Sequence, residues 1–281
     1  MSREVLLNGK FVPYEEAMVR IDDRGFQFSE GVYEVIRVYH GKPFEMERHM
    51  ARMRSSVEAV GLDVGSVLDG VEEQSLELLR RSGLQEAYIY IQVTSGAAPR
   101  VHLAPSGLTP TVIAIVGPAS PPSAEVRSRG IRVMTVPDQR WAMCFAKTTM
   151  LLPNTTAKKR ALAEGYDDAI FVRDGFAMEG TAANMFAVFD GVLTTPPATN
   201  YILHGVTRAV VLDLAKQIGM PHAEAPIPAA KLGTAEEVFL TGTVGELIPV
   251  VSVDGKTIGT GKPGPVYARM YDALQRRIAE L

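Results

Sequence analysis

Cysteine is nearly absent from this chain: 281 residues contain only Cys144. One cysteine excludes an intramolecular disulfide and fits a reducing compartment. An excess of positive charge is also missing. The formal net charge is -3, and the densest basic run is the short Lys158-Lys159-Arg160, which argues against a nucleic-acid binder. No apolar run is long enough to span a bilayer, and Met1-Ser2-Arg3-Glu4-Val5 has no apolar signal core. The expectation is a soluble cytoplasmic protein. Several chemical signatures are lacking as well. There is no Walker A loop, no G-x-G-x-x-G, no H-E-x-x-H and no G-x-S-x-G elbow, and the five histidines are scattered. Nucleotide cradles, zinc proteases and serine hydrolases therefore lose their usual supports, and no metal site is expected. With 46% hydrophobic and 22% charged residues, the chain is long enough for two modest domains.

Turn signals divide what is present. Asn8-Gly9 predicts a hairpin joining strands at 4–7 and 10–13. A strand is predicted over 32–39. Met46, Met50, Met53, Val57 and Val60 recur at helical spacing before Gly61, so a helix with a methionine-rich core face is expected. A helix over 66–81 and strands over 87–94 and 111–116 follow. The segment Gly117-Pro118-Ala119-Ser120-Pro121-Pro122-Ser123 cannot sustain a helix or a central strand. It marks the expected boundary: a small domain over 1–116, a linker over 117–125 and a larger domain over 126–281. The larger domain is predicted to open with a strand over 131–136 and a helix near 154–164. Asp174-Gly175 and Asp190-Gly191 predict a meander of strands at 168–173, 183–189 and 192–195. A helix over 206–218, strands near 238–240 and 247–253, and a final helix after Pro263-Gly264-Pro265 complete the reading. Strand runs mixed with helices, without regular βαβ alternation, indicate an α+β fold.

Five places could carry chemistry. Lys147, within Cys144-Phe145-Ala146-Lys147-Thr148-Thr149, lies in a mainly apolar stretch, where desolvation favours a neutral, nucleophilic amine. Glu179, beside what reads as a Gly180-Thr181 turn, is a carboxylate able to face a cationic ring nitrogen. Together they match what a pyridoxal phosphate site requires: a lysine to hold the aldehyde and an acid for the pyridinium. The alternative for Lys147 is a solvated charge on an apolar stem. His204-Gly205-Val206-Thr207-Arg208 reads as a helix start able to bind an anion, and Thr241-Gly242-Thr243 as a second hydroxyl-rich turn. Both also fit ordinary cap and turn chemistry. If Arg100-Val101-His102 stays extended, alternation points Arg100 and His102 to one side, as a carboxylate-binding pair would require.

Taken together these segments resemble a known family. Asp23-Arg24-Gly25-Phe26-Gln27-Phe28-Ser29-Glu30-Gly31-Val32-Tyr33-Glu34-Val35-Ile36-Arg37 is similar to the N-terminal signature of class IV aminotransferases, the fold-type IV pyridoxal phosphate enzymes. Met178-Glu179-Gly180 with Asn184-Met185-Phe186, and Gly205-Val206-Thr207-Arg208, resemble two further signatures of that family. The likeness runs from about Leu7 to near the C-terminus. Tyr33, Arg100 and His102, with Arg140-Trp141, look most like the D-amino-acid transaminases among them.

The resemblance implies a two-domain α+β fold, with a smaller N-terminal domain and a larger one built on a mainly antiparallel β core. It also implies pyridoxal 5'-phosphate as cofactor, D-amino acids and 2-oxo acids as substrates, and a homodimer. Lys147 matches the cofactor-bonding lysine and Glu179 the ring-nitrogen partner. Arg52, Val206, Thr207 and Thr243 match positions around the phosphate, and Leu203 a position beside the ring. Tyr33, Arg100 and His102 match the substrate-carboxylate trap, the latter two supplied across subunits. Other class IV enzymes compete with this reading: (R)-amine transaminases, branched-chain L-aminotransferases and aminodeoxychorismate lyase. A non-catalytic pyridoxal phosphate-binding protein also competes. Two departures are visible: Ser29-Glu30 where the family commonly has Gly-Asp, and Thr181-Ala182-Ala183 where D-amino-acid transaminases commonly have a serine run.

Overall fold

The computed structural model describes residues 4–281, which fall into two compact units. The first comprises the described residues up to 119 together with 146–150 and residue 281; the second comprises 120–145 and 151–280.

In the first unit the elements run β1 (Glu4–Leu7), β2 (Lys10–Pro13), α1 (Arg24–Phe28), β3 (Gly31–Tyr39), β4 (Lys42–Pro43), α2 (Met46–Val60), α3 (Leu68–Ser82), β5 (Ala87–Thr94) and β6 (Thr111–Pro118). The six strands form one sheet in the order β2-β1-β6-β5-β3-β4, with every neighbouring pair antiparallel. Alternation on β5 buries Ala87, Ile89, Ile91 and Val93. These pack with Met50 and Met53 of α2 and with Val71, Leu78 and Leu79 of α3 in one core. The methionine stripe is therefore core, as its spacing indicated. Strand β6 runs through Gly117 to Pro118, two residues further than expected. Pro118 stands at the strand end opposite Ala87, and Gly117 leaves room for the Tyr88 ring, where a side chain would collide.

The second unit contains α4 (Ala124–Arg129), β7 (Ile131–Pro137), α5 (Leu152–Ala163), β8 (Asp168–Arg173), β9 (Phe176–Gly180), β10 (Asn184–Phe189), β11 (Val192–Thr195), α6 (Val206–Gln217), β12 (His222–Glu224), β13 (Ile227–Pro228), β14 (Glu237–Gly242), β15 (Glu246–Val253), β16 (Lys256–Thr257) and α7 (Pro265–Ala279). The strand order is β12-β11-β10-β14-β15-β7-β8-β9-β13, with β16 on β15. One further pairing, Asn184 with Glu179, joins β10 to β9 and closes β10-β14-β15-β7-β8-β9 into a ring. Ile170, Ala177, Met185, Ala187, Val238 and Leu240 are buried in its core. Most pairs are antiparallel; β7–β8, β7–β15 and β11–β12 are parallel.

One expectation is corrected. Asp174-Gly175 turns β8 into β9, not into the strand at 184–189, so the meander contains one strand more than the sequence indicated. Glu179 accordingly lies on a strand, beside the expected turn, where Gly180 N donates to Ala183 O at 2.7 Å; β9 is short and is defined by its pairing with β8, β13 and β10. Among the described residues no helix is long and apolar enough to cross a membrane.

Candidate active site

The residues 146–150 are held on the first unit through their main chain. Tyr33 N donates to Lys147 O at 3.0 Å, Thr149 N to Gly31 O at 3.0 Å, and Lys147 N to Ser56 Oγ at 3.0 Å. Val32 and Thr148 form an antiparallel bridge. With its backbone tied on both sides, the lysine presents Nζ over the Tyr33 ring, 4.2 Å from the centroid. Tyr33 also packs on Tyr90 at 5.6 Å. Burial pushes the Tyr33 phenol up to about 12, so it keeps its proton and acts as a donor at neutral pH.

Next to Tyr33 on β3, Glu34 points to the opposite face and is fully buried. Arg52 of α2 forks onto it: Nε donates to Oε1 at 2.7 Å and Nη2 to Oε2 at 2.8 Å. His49 Nδ1 stands 2.7 Å from Oε2. Burial raises the Glu34 carboxyl, but Arg52 and His49 outweigh it and hold the group down at about 2. Burial lowers His49, so its neutral form donates Nδ1–H to the carboxylate. Arg52, which the resemblance implies lies around the phosphate, is thus set by Glu34.

The Arg100-Val101-His102 segment is not extended. Val101 N donates to Pro99 O at 2.8 Å, so the chain turns at Arg100. The two side chains nevertheless meet one ring: Arg100 Cζ lies 5.0 Å from the Phe28 centroid and the His102 ring 5.9 Å from it. Both are exposed.

In the second unit Glu179 lies at the seam of the ring, next to Asn184. Its carboxylate takes an ion pair from Arg140 Nη1, a bond from Asn184 Nδ2 at 2.8 Å, and Leu203 N at 3.0 and 3.2 Å from its two oxygens. Complete burial pushes the Glu179 carboxyl up to about 7 against the pull of Arg140 and the Leu203 N–H. Arg140 is in turn held by Asp138, with Nε and Nη2 each 2.9 Å from a carboxylate oxygen, and Asp138 also accepts from Arg173 at 3.1 Å. Burial lowers Arg140, but Asp138 and Glu179 raise it further, so its charge is fixed. Burial pushes the Cys144 thiol up to about 11, leaving an unreactive group.

Asn184 also donates to Leu203 O at 2.8 Å, which accepts Gly205 N at 2.9 Å, so Glu179, Asn184 and the start of α6 form one hydrogen-bonded assembly. A Cβ at Gly205 would fall on Asn184 Oδ1, which explains the glycine. Val206 and Thr207 occupy the first turn of α6, as expected, and no side chain caps that turn. Thr243 lies in the turn between β14 and β15. Beside it on β14, opposite Asn184, Thr241 Oγ1 is buried without a hydrogen-bond partner.

These groups fit the cofactor that the sequence implied. The uncapped N–H groups of α6 and the partnerless Thr241 hydroxyl suit an anionic group, and the buried Glu179 suits a protonated ring nitrogen. Sequence reasoning did not find Asp138, Glu34 or His49. It noted Arg140 only in the resemblance, and not as Glu179's partner. The two-residue spacing of Asp138 and Arg140 was the one available signal.

The model of the class IV aminotransferases matches residues 31–253. This chain belongs to that family. It is 40% identical to a D-alanine aminotransferase of Bacillus licheniformis over 98% of the chain and 97% of the relative. Among solved structures, the branched-chain amino acid aminotransferase of Escherichia coli is similar with a TM-score of 0.92 at 30% identity, over 98% of this chain and 94% of that one. The branched-chain aminotransferase of Thermoproteus uzoniensis, solved with norvaline, aligns with a TM-score of 0.90 at 30% identity, over 99% and 95% of the two chains. The class IV, two-domain α+β fold expected from the sequence agrees with these likenesses.

Proposed function

We propose that this class IV aminotransferase uses pyridoxal 5'-phosphate to move an amino group from a D-amino acid such as D-alanine to a 2-oxo acid such as 2-oxoglutarate. The reading is carried by the 40% identity to a D-alanine aminotransferase across nearly the whole chain. The gathering of Arg100 and His102 on Phe28 supports it.

Bound pyridoxal phosphate supplies an electron sink for the charge left when the substrate Cα loses its proton. Lys147 is the amine that holds the cofactor. Its Nζ, when free, would take the Cα proton, a task for which its strapped backbone fixes the starting point. Glu179 keeps a proton on the ring nitrogen, with Arg140, Asn184 and Leu203 orienting its oxygens. Val206, Thr207, Thr243 and Arg52 would hold the phosphate, and Leu203 would lie beside the ring. Arg100 and His102, with the Tyr33 hydroxyl, bind the substrate carboxylate and so select which face of Cα meets Lys147.

The chain works as a cytoplasmic homodimer in which Arg100 and His102 serve the partner's site. Exposure of Val101 and Leu103 beside them supports an apolar contact there. The small domain over 1–116 and the large one over 126–281 divide the labour, with Lys147 returning to the first unit.

The deciding experiment offers D- and L-amino acids with 2-oxoglutarate and resolves the products by chirality. D-alanine should turn over to give D-glutamate. Turnover of L-valine or L-leucine without D-alanine activity would replace this reading with the branched-chain one, which the structural neighbours favour.

A further inference from the structure

The Arg24 side chain is 0% exposed, although arginine is almost never fully buried unless paired. Its guanidinium is satisfied on three sides. Nε donates to Glu30 Oε2 at 2.6 Å, and Nη2 pairs with Oε1 of the same carboxylate. Nη1 donates to Val101 O at 2.7 Å, and Nη2 also reaches His102 O at 3.0 Å. The cation lies 4.6 Å from the Phe28 centroid. Phe28 is therefore shared by Arg24, Arg100 and His102. Arg24 holds the main chain of the turn, and Phe28 meets its side chains.

Neighbouring contacts fix this cradle. Asp23 caps α1 through Gly25 N at 2.8 Å and accepts from Thr111 Oγ1 at 2.6 Å. Arg24 N donates to Gly96 O at 2.9 Å, and Ala98 N to Asp22 O at 3.1 Å. Arg24 holds the Glu30 carboxyl below the usual carboxylate range, so the pair stays charged at neutral pH. Glu30 is one of the two residues that replace the family's common Gly-Asp, and its additional methylene lengthens the reach toward Arg24.

We propose that Arg24, Glu30 and Phe28 are positioning residues for substrate-carboxylate recognition: together they fix the backbone of the Arg100–His102 turn and the plane on which Arg100 and His102 rest. None of the three needs to touch substrate. The inference rests on the carboxylate role of Arg100 and His102 proposed above.

Two readouts on the holoenzyme test it. Hydrogen exchange followed by mass spectrometry reports the order of amides 96–103 independently of activity. Steady-state kinetics with D-alanine separate KM from kcat. Removing one charge-assisted bond is expected to raise KM about tenfold with kcat within about threefold. Glu30→Gln should speed exchange at 96–103 and raise KM in this way, whereas Glu30→Asp, which keeps the charge, should restore most of both. Phe28→Leu should raise KM with a smaller change in exchange, because it removes the plane and leaves the backbone bonds. Glu30 and Phe28 carry the test even where Arg24→Gln fails to fold.

Unchanged exchange at 96–103 in Glu30→Gln overturns the proposal. So does faster exchange with unchanged KM in an enzyme whose Arg100→Ala variant does lose affinity for D-alanine. If Arg100→Ala itself leaves KM unchanged, the carboxylate role fails first and the proposal falls with it.

Discussion

At the scale of single residues, Lys147 and Glu179 have different structural fates. Lys147 is defined by its backbone: three hydrogen bonds fix where it stands, and Tyr33 lies under its amine. Glu179 is defined by its side chain, which collects donors from Arg140, Asn184 and Leu203. Glu179→Gln should therefore preserve the fold and lower kcat by about a hundredfold, the usual cost of losing one electrostatic stabiliser. A visible-absorption pH titration beside the kinetics checks that the cofactor is still bound; unchanged kcat would remove Glu179 from the chemistry. A milder change tests Ser29, which sits at φ 58 at the end of α1. Left-handed backbone costs an L-residue roughly 1–2 kcal/mol, partly offset by the chain entropy glycine adds to the unfolded state, so Ser29→Gly should stabilise by up to about 1 kcal/mol. Denaturant unfolding measures it.

At the scale of elements, α6 and β10 are coupled through Gly205 and Asn184. Gly205→Ala would push Asn184 off Glu179 and Leu203 O, and cofactor retention on dialysis should weaken about tenfold, the equivalent of one hydrogen bond to a charge. The same change in an Asn184→Ala background should cost much less, because the obstructing oxygen is gone. Equal losses in both backgrounds would contradict the coupling. The helix itself was legible in the sequence, since Gly205 and the following apolar periodicity act locally. So were α2, from its methionine spacing and Gly61, and the hairpin at Asn8-Gly9. Strand β9 was hidden because nothing within Phe176–Gly180 distinguishes it from the approach to a turn; partners on β8, β10 and β13 define it. The five-residue α1 escaped for the same reason, since its cap and its buried arginine have their meaning in residues some 70 to 90 positions away. The candidate site follows this division. The motifs indicated Lys147, Glu179, Arg100 and His102, but not the ion pair of Arg140 with Glu179 or the bonds of Arg24 to Val101 O and His102 O, which only the folded chain brings together.

At the scale of the whole molecule, the buried acids act on stability in opposite directions. Glu34 is depressed from 4.5 to about 2, so its contribution is complete above 4.5 and is lost as pH falls toward 2. A shift of that size corresponds to about 3 kcal/mol, to order of magnitude. His49 is depressed from 6.5, and because it is held neutral, folding weakens as pH falls below 6.5. Glu179 is raised to about 7, so its contribution is present below 4.5 and lost as pH rises to 7. In cofactor-free protein the first two should dominate below pH 4.5. Thermal midpoints should fall there, and Glu34→Gln should flatten that part of the profile; a wild-type midpoint rising in acid would contradict the assignment. A last consequence concerns synthesis. The stretch that presents Lys147 joins β3 although more than a hundred residues separate them in the chain. When the ribosome has released the first 119 residues, the sheet can form, yet Tyr33 N, Gly31 O and Ser56 Oγ must wait for residues 146–150 to emerge. The nascent N-terminal unit thus carries an unfilled docking line for a segment not yet translated, and the Lys147 amine joins it only afterwards.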